Sequence, residues 1–220
     1  MSTEEISQFL EASYLPQAQA SAKLAAKGFT YDPESSNMER KVFVDTKGNP
    51  HIAYRGSVRA DDWLGNARIA LGKTDKKMEG DLTETGDILK KYAGKEVSHY
   101  GHSRGGRTAE LAGERFGGKV YTFNKATAPT DIFKMTRKEQ TDIRTTHDLV
   151  SLPSIFQTGG KKVTLTTDKK TPVAAHAVST LKAGTETSAP SFVGKFHELT
   201  SKVRTASTSF KDKLASAFKG

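Results

Sequence analysis

The chain has 220 residues, with 34 basic and 25 acidic side chains for a formal charge of +9, 35% hydrophobic and 27% charged residues, and no cysteine. That length supplies one substantial core and leaves little for a second full domain. The composition excludes a disulfide framework, a thiol nucleophile and cysteine-ligated metal, and no run approaches the ~20 apolar residues that cross a bilayer.

The opening residues, MSTEEISQFLEASYLPQ, place acids where a secretory signal carries bases ahead of an apolar run, so a cytoplasmic location is expected. The basic excess favours polyanionic surroundings such as nucleic acid or acidic lipid head groups. No zinc-finger spacing, aromatic RNA-binding motif or Walker-type loop accompanies it, so nucleic-acid binding rests on net charge alone.

In chain order, Ile6, Phe9, Leu10, Ala18, Ala22 and Ala25 recur at helical intervals and are interrupted at Pro16, which predicts two short helices between about Thr3 and Lys27. Lys41-Val42-Phe43-Val44 and His51-Ile52-Ala53-Tyr54 flank a cluster of turn formers and predict a hairpin. A helix is expected behind Asp61 or Asp62, with Trp63 and Leu64 on its buried side, and another over about Leu82 to Tyr92. Glu96 to Tyr100 reads as a strand, Arg107 to Phe116 as a helix and Lys119 to Phe123 as the next strand. His147 to Val150 and Lys162 to Thr166 look like further strands, followed by a loop through Pro172 and a short helical stretch around His176. The expected domain spans 1–183. A linker rich in Thr, Ser and Pro covers 184–194, and 195–220 forms a basic amphipathic helix with a stripe of Phe196, Leu199, Val203, Ala206, Phe210, Leu214 and Phe218.

Between the strand ending at Tyr100 and the helix from Arg107 lies Gly101-His102-Ser103-Arg104-Gly105-Gly106. In Gly-x-Ser-x-Gly the serine occupies a tight turn between strand and helix, and the flanking glycines let the two elements approach closely. The pattern alone is weak, because a glycine-rich turn also satisfies it. The strand before it and the helix after it make Ser103 the candidate nucleophile.

A serine hydroxyl needs a base, and histidine suits that task at neutral pH. His102 points away from the turn and reads as a packing residue. His147 and His51 read as structural or surface residues, and His197 as a solvated position on the tail. His176 remains, C-terminal to both serine and acid in the order Ser, Asp, His, with a satisfied core histidine as its plainer alternative. Asp148 is the best candidate to orient the imidazole. Asp131 and Asp142 are rivals, and each of the three has a plainer reading as a helix cap or surface charge.

The chain resembles the fungal-type, class three lipases, a branch of the α/β-hydrolases. The likeness rests on Tyr54-Arg55-Gly56-Ser57, Asp62-Trp63-Leu64, the Gly101–Gly106 elbow, Val120-Tyr121-Thr122-Phe123 and Asp148-Leu149-Val150 with Pro153, in that order, between about Phe29 and Leu181. It implies an α/β-hydrolase-like fold with a mostly parallel central sheet flanked by helices. It also implies an oxyanion hole built from the backbone N–H of Arg104 and from Ser57, and a chemistry with neither metal nor organic cofactor.

Three departures stand out. Arg104 replaces the usual leucine, and as an exposed cation it would suit acidic or phosphorylated substrates. Asn124-Lys125-Ala126 replaces a Gly-x-Pro segment. The stretch from Asp148 to His176 is short for the family.

The resulting expectation is a carboxylic-ester hydrolase of the lipase, phospholipase or esterase kind acting on a lipid or ester substrate. Its tail would meet an acidic membrane surface, a protein partner or another subunit. The alternative is a non-catalytic binding protein on the same fold, with a virion-associated role implied by small viral relatives of these lipases.

Overall fold

The computed structural model describes residues 1–57 and 76–187. The helix expected behind Asp61 or Asp62, the Asp62-Trp63-Leu64 motif, most of the expected linker, His197 and the expected helical tail lie outside those residues.

Helix α1 (Thr3–Ala12) starts from a reciprocal cap in which Ser2 and Glu5 satisfy each other's backbone N–H groups. It buries Ile6, Phe9 and Leu10. Pro16 stops the turn that follows and opens α2 (Gln17–Ala25), as the sequence predicts.

A short strand β1 (Thr30–Tyr31) leads to the expected hairpin of β2 (Arg40–Val44) and β3 (Pro50–Tyr54). Helix α3 (Lys76–Lys91) begins earlier than its apolar spacing suggested. Then come β4 (Ser98–His102), α4 (Arg104–Phe116) and β5 (Lys119–Phe123). Strands β6 (Gln140–Thr145) and β7 (Lys161–Thr166), the short helices α5 (Pro172–His176) and α6 (Thr180–Ala183), and β8 (Thr185–Thr187) complete the described order. Strand β8 lies inside the segment read as a linker.

The eight strands form one sheet in sequence order. Strands β3 to β7 run parallel, while β1, β2 and β8 pair antiparallel at the two margins. Alternation along the strands sorts the core into two layers. Phe43, Ala53, Tyr100, Phe123 and Ile143 face α1 and α2. Val42, Ile52, Tyr54 and Val120 face α3 and α4. Phe9 anchors the first layer, its ring stacked 4.2 Å from Tyr100, and burying such a side chain stabilises the fold by about 2–3 kcal/mol. This is the α/β-hydrolase-like architecture the sequence implied. Among the described residues no helix is long and apolar enough to cross a membrane.

One strand is corrected. His147 to Val150 is a turn and the strand lies earlier, at Gln140–Thr145. The Asp148 carboxylate accepts the N–H groups of Val150 and Ser151, which closes the backbone into a turn where an extended chain was expected.

Candidate active site

Parallel strands in such a sheet present their carboxyl ends to one crevice. Here each consecutive strand delivers one polar residue there. Ser57 follows β3, Ser103 follows β4, Asn124 follows β5, Asp148 follows β6, and His176 ends α5, the helix after β7.

At the elbow Ser103 adopts φ 56° and ψ −123°, a strained conformation for a residue with a side chain. Both glycines of the motif are required by contact. A methyl group on Gly101 would stand 2.0 Å from the Gly105 carbonyl oxygen, and one on Gly105 2.3 Å from that of Tyr54. The glycine of the Arg55-Gly56-Ser57 segment is pressed against the same turn. A methyl there would meet the Tyr14 hydroxyl at 2.6 Å, the His102 carbonyl oxygen at 2.7 Å and Ser103 Cβ at 3.0 Å. The segment expected to supply oxyanion donors therefore packs directly on the expected nucleophile. Arg104 is the first residue of α4, so its N–H lies outside the i to i−4 ladder of that helix.

His176 Nδ1 lies 2.8 Å from Asp148 Oδ1, and both residues are buried. Burial pushes the Asp148 carboxyl up, but the hydrogen bond and charge of His176, with the Ser151 contacts, hold it below the usual carboxylate range. Arg144 donates to the Asp148 carbonyl at 3.4 Å, and its own guanidinium is pulled down by burial. The rival acids are elsewhere. Asp131 faces Arg107 at 2.8 Å. Asp142 is neither a cap nor a surface charge: it is buried and accepts from Thr122, Gln140 and Lys162.

Two residues given no site role by the sequence hold these segments together. Asn124, at φ 43°, donates through Nδ2 to the carbonyls of Ala175 at 3.0 Å and His176 at 3.3 Å, while its Oδ1 accepts from the Thr145 N–H at 2.8 Å. Thr145 Oγ1 also donates to the Ala175 carbonyl, at 2.8 Å. The last carbonyls of the short helix α5, which a helix end leaves without intrahelical partners, are thus bound by β5 and β6. This clamp makes the short path from Asp148 to His176 workable. Tyr14 is the second residue. Its hydroxyl accepts from the Gly56 N–H at 2.9 Å and lies 2.7 Å from His102 Nδ1.

His102 is buried and contacts polar partners at both ring nitrogens. Its Nε2 is 2.7 Å from the His176 carbonyl oxygen, and its ring lies 4.8 Å from that of His176. Burial, reinforced by neighbouring His176, pulls its pKa down to about 3, so the ring is neutral. His51 is a buried member of the α1 layer, stacked on Phe9, and His147 is exposed.

Arg104 corrects an expectation. Its guanidinium is not an exposed cation: the side chain is only 11% accessible and is turned to Asp81 at 3.3 Å and Glu39 at 3.7 Å. Helix α3 and the residue just before β2 supply those carboxylates, so the charge beside the elbow is matched from within the fold. Among the described residues no group of three or more His, Asp or Glu is placed to hold a metal ion.

Residues 11–216 match a phospholipase-like family, the Tle-like phospholipase domain. No curated protein matches the chain. Among solved structures, the Rhizomucor miehei lipase propeptide complex aligns with TM-score 0.47 at 17% identity, over 76% of this chain and 66% of that one. A triacylglycerol lipase from Penicillium expansum aligns with TM-score 0.41 at 14% identity, over 86% and 85%.

Proposed function

The chain belongs to the Tle-like phospholipase domain family, and from that premise we propose that it is a serine hydrolase that cleaves carboxylic esters of phospholipids. Ser103 is the nucleophile, His176 the general base and acid, and Asp148 the carboxylate that orients it. The N–H of Arg104 and Ser57 form the oxyanion hole.

The observation that carries this reading is the 2.8 Å contact between His176 Nδ1 and Asp148 Oδ1. It is made at the sheet end that bears the elbow, with the His176 carbonyl bound by the residue before Ser103. With Asp148 on Nδ1, the imidazole keeps a proton there and offers Nε2 as the base. Ser103 Oγ attacks the ester carbonyl while its proton passes to His176. The tetrahedral intermediate expels the alcohol, which takes that proton, and leaves an acyl-serine. Water then repeats the sequence and releases the fatty acid. Each oxyanion donor is worth roughly 3 kcal/mol of barrier.

The test is hydrolysis of a short-chain p-nitrophenyl ester and of phosphatidylcholine vesicles by wild type and Ser103→Ala. Loss of both activities in the variant supports the proposal, and equal rates overturn it. Faster release from a triacylglycerol emulsion than from vesicles would replace the phospholipid by a neutral lipid.

The basic sequence of 195–220 is proposed to bind acidic lipid surfaces, which would hold the enzyme at its substrate. Co-sedimentation with phosphatidylserine vesicles compares the full chain with one ending at Thr187. Equal binding by both removes that role.

A further inference from the structure

The N-terminal helices read as packing elements, yet one side chain from them reaches the site. Tyr14 sits in the turn directly after α1, a helix fixed by buried Ile6, Phe9 and Leu10. Its hydroxyl joins Gly56, in the segment after β3 and ahead of Ser57, to His102, the last residue of β4 and ahead of Ser103.

The protons along this contact chain follow from what each atom can do. The His176 carbonyl oxygen only accepts, so His102 Nε2 carries the hydrogen of their 2.7 Å bond. The ring is neutral, so Nδ1 accepts, and the Tyr14 hydroxyl is its donor at 2.7 Å. The lone pair left on that hydroxyl takes the Gly56 N–H at 2.9 Å. Burial pushes the phenol up to about 12, so it keeps its proton throughout the neutral range. The result is one directional chain: Gly56 N–H to Tyr14, Tyr14 O–H to His102, and His102 Nε2–H to the carbonyl of His176.

We propose that Tyr14 is a positioning residue that, through His102, locks the oxyanion-hole loop of Gly56 and Ser57 to the end of the helix that carries His176. This rests on the hydrolase reading above. Oxyanion donors work only when held to within about 0.5 Å of the developing charge. Fixing the Gly56 N–H fixes the plane of the Arg55–Gly56 peptide, and with it the direction from which Ser57 continues. The same hydroxyl holds Nδ1 of the His102 ring, whose Nε2 is bonded to the backbone of His176. Neither end touches substrate through Tyr14, so its removal acts on kcat and leaves ground-state binding nearly unchanged.

The experiment uses the full chain as wild type, Tyr14→Phe and Ser103→Ala. Reactive serine is counted with a fluorophosphonate, so that only assembled sites enter the rate, and p-nitrophenyl ester kinetics are normalised to that count. Tyr14→Phe is expected to lower kcat by about 10- to 100-fold with KM within about twofold. Ring ¹⁵N spectra of His102 supply a second readout, independent of activity. The wild type is expected to show the Nε2–H tautomer with a hydrogen-bonded Nδ1, and the variant to lose that Nδ1 bond. A wild-type proton on Nδ1, or an unchanged kcat per titrated serine in Tyr14→Phe, overturns the proposal. Undiminished hydrolysis by Ser103→Ala instead overturns the hydrolase reading, and the His102 spectra still decide whether the hydrogen-bond chain exists.

Discussion

Asp148 meets His176 at 2.8 Å through Oδ1, and the N–H groups of Val150 and Ser151 bind the two oxygens of the same carboxylate. The acid is therefore oriented by its own turn before it orients the histidine. Asp148→Asn puts an amide into a ring of donors and removes the negative charge that holds the Nδ1–H tautomer. The expected outcome is a loss of about 10³- to 10⁴-fold in kcat on a p-nitrophenyl ester. Asp142→Asn, which disturbs a buried ion pair away from His176, is expected to lower the melting temperature and leave kcat within about tenfold. A reversed pattern would exchange the roles of the two acids.

Lys125 is buried in the connection from β5 to β6, which carries no α-helix. Its ammonium lies 2.6 Å from Glu110, 3.1 Å from Gln157 and 3.4 Å from Asp142, all buried. Desolvation pushes both acids up, but Lys125 and the neighbouring cations win and bring Asp142 to about 2 and Glu110 below its ordinary value. Lys125→Met leaves buried carboxylates short of their central cation and is expected to cost about 3–5 kcal/mol in urea unfolding. Adding Glu110→Leu removes one stranded charge, while Arg107 keeps Asp131, so the double variant should regain part of that loss. Additive losses would show that the cluster is not coupled.

The elbow glycine offers a sharper test of packing. A methyl on Gly105 would lie 2.3 Å from the Tyr54 carbonyl oxygen and 2.7 Å from its carbon, both backbone atoms that side-chain motion cannot clear. Gly105→Ala must push α4 off β3, at about 3 kcal/mol or more. Gly80, in the exposed interior of α3, has nothing within 4 Å of the same position. Gly80→Ala is expected to stabilise by about 0.5–1 kcal/mol through helix propensity. Thermal melts that move both variants the same way would contradict the contact argument.

What could be read from the sequence was local. Glycines two positions either side of Ser103 carry their own steric reason, and the Asp45–Pro50 turn announces its hairpin. Strand β6 is hidden in the sequence because Gln140, Asp142 and Arg144 look unsuited to a buried strand until the fold brings Glu110, Lys125, Thr122, Lys162 and the Asp148 carbonyl to them. Arg104 looked exposed because Glu39 and Asp81 are remote in sequence. Asn124 left a faint trace, since asparagine tolerates the positive φ found there better than most residues. Tyr14 left none, because its role exists only across a separation of 42 residues to Gly56 and 88 to His102.

Two buried histidines fix how the fold responds to acid. Burial brings the pKa of His99 from an ordinary 6.5 to about 4, and that of His102 to about 3. His99 Nε2 donates to the Gly117 carbonyl at 3.2 Å, a bond that favours the protonated ring, but burial outweighs it. In the unfolded chain both rings take up a proton near pH 6.5, whereas the folded chain refuses it until about pH 4 and 3. The unfolded state therefore binds more protons between those limits. Stability is complete above pH 6.5 and falls as the pH is lowered, by about 1.4 kcal/mol per pH unit for each ring. His51, also lowered by burial, adds a contribution of the same sign. Asp142, lowered to about 2, adds its own loss only below about pH 4. Urea unfolding at pH 7.5, 6.0 and 5.0 is expected to show a steep decline across the last two values. His99→Gln, which cannot be protonated there, should show a shallower one. A flat profile from pH 7.5 to 5.0 would mean that these rings are not held neutral by the fold.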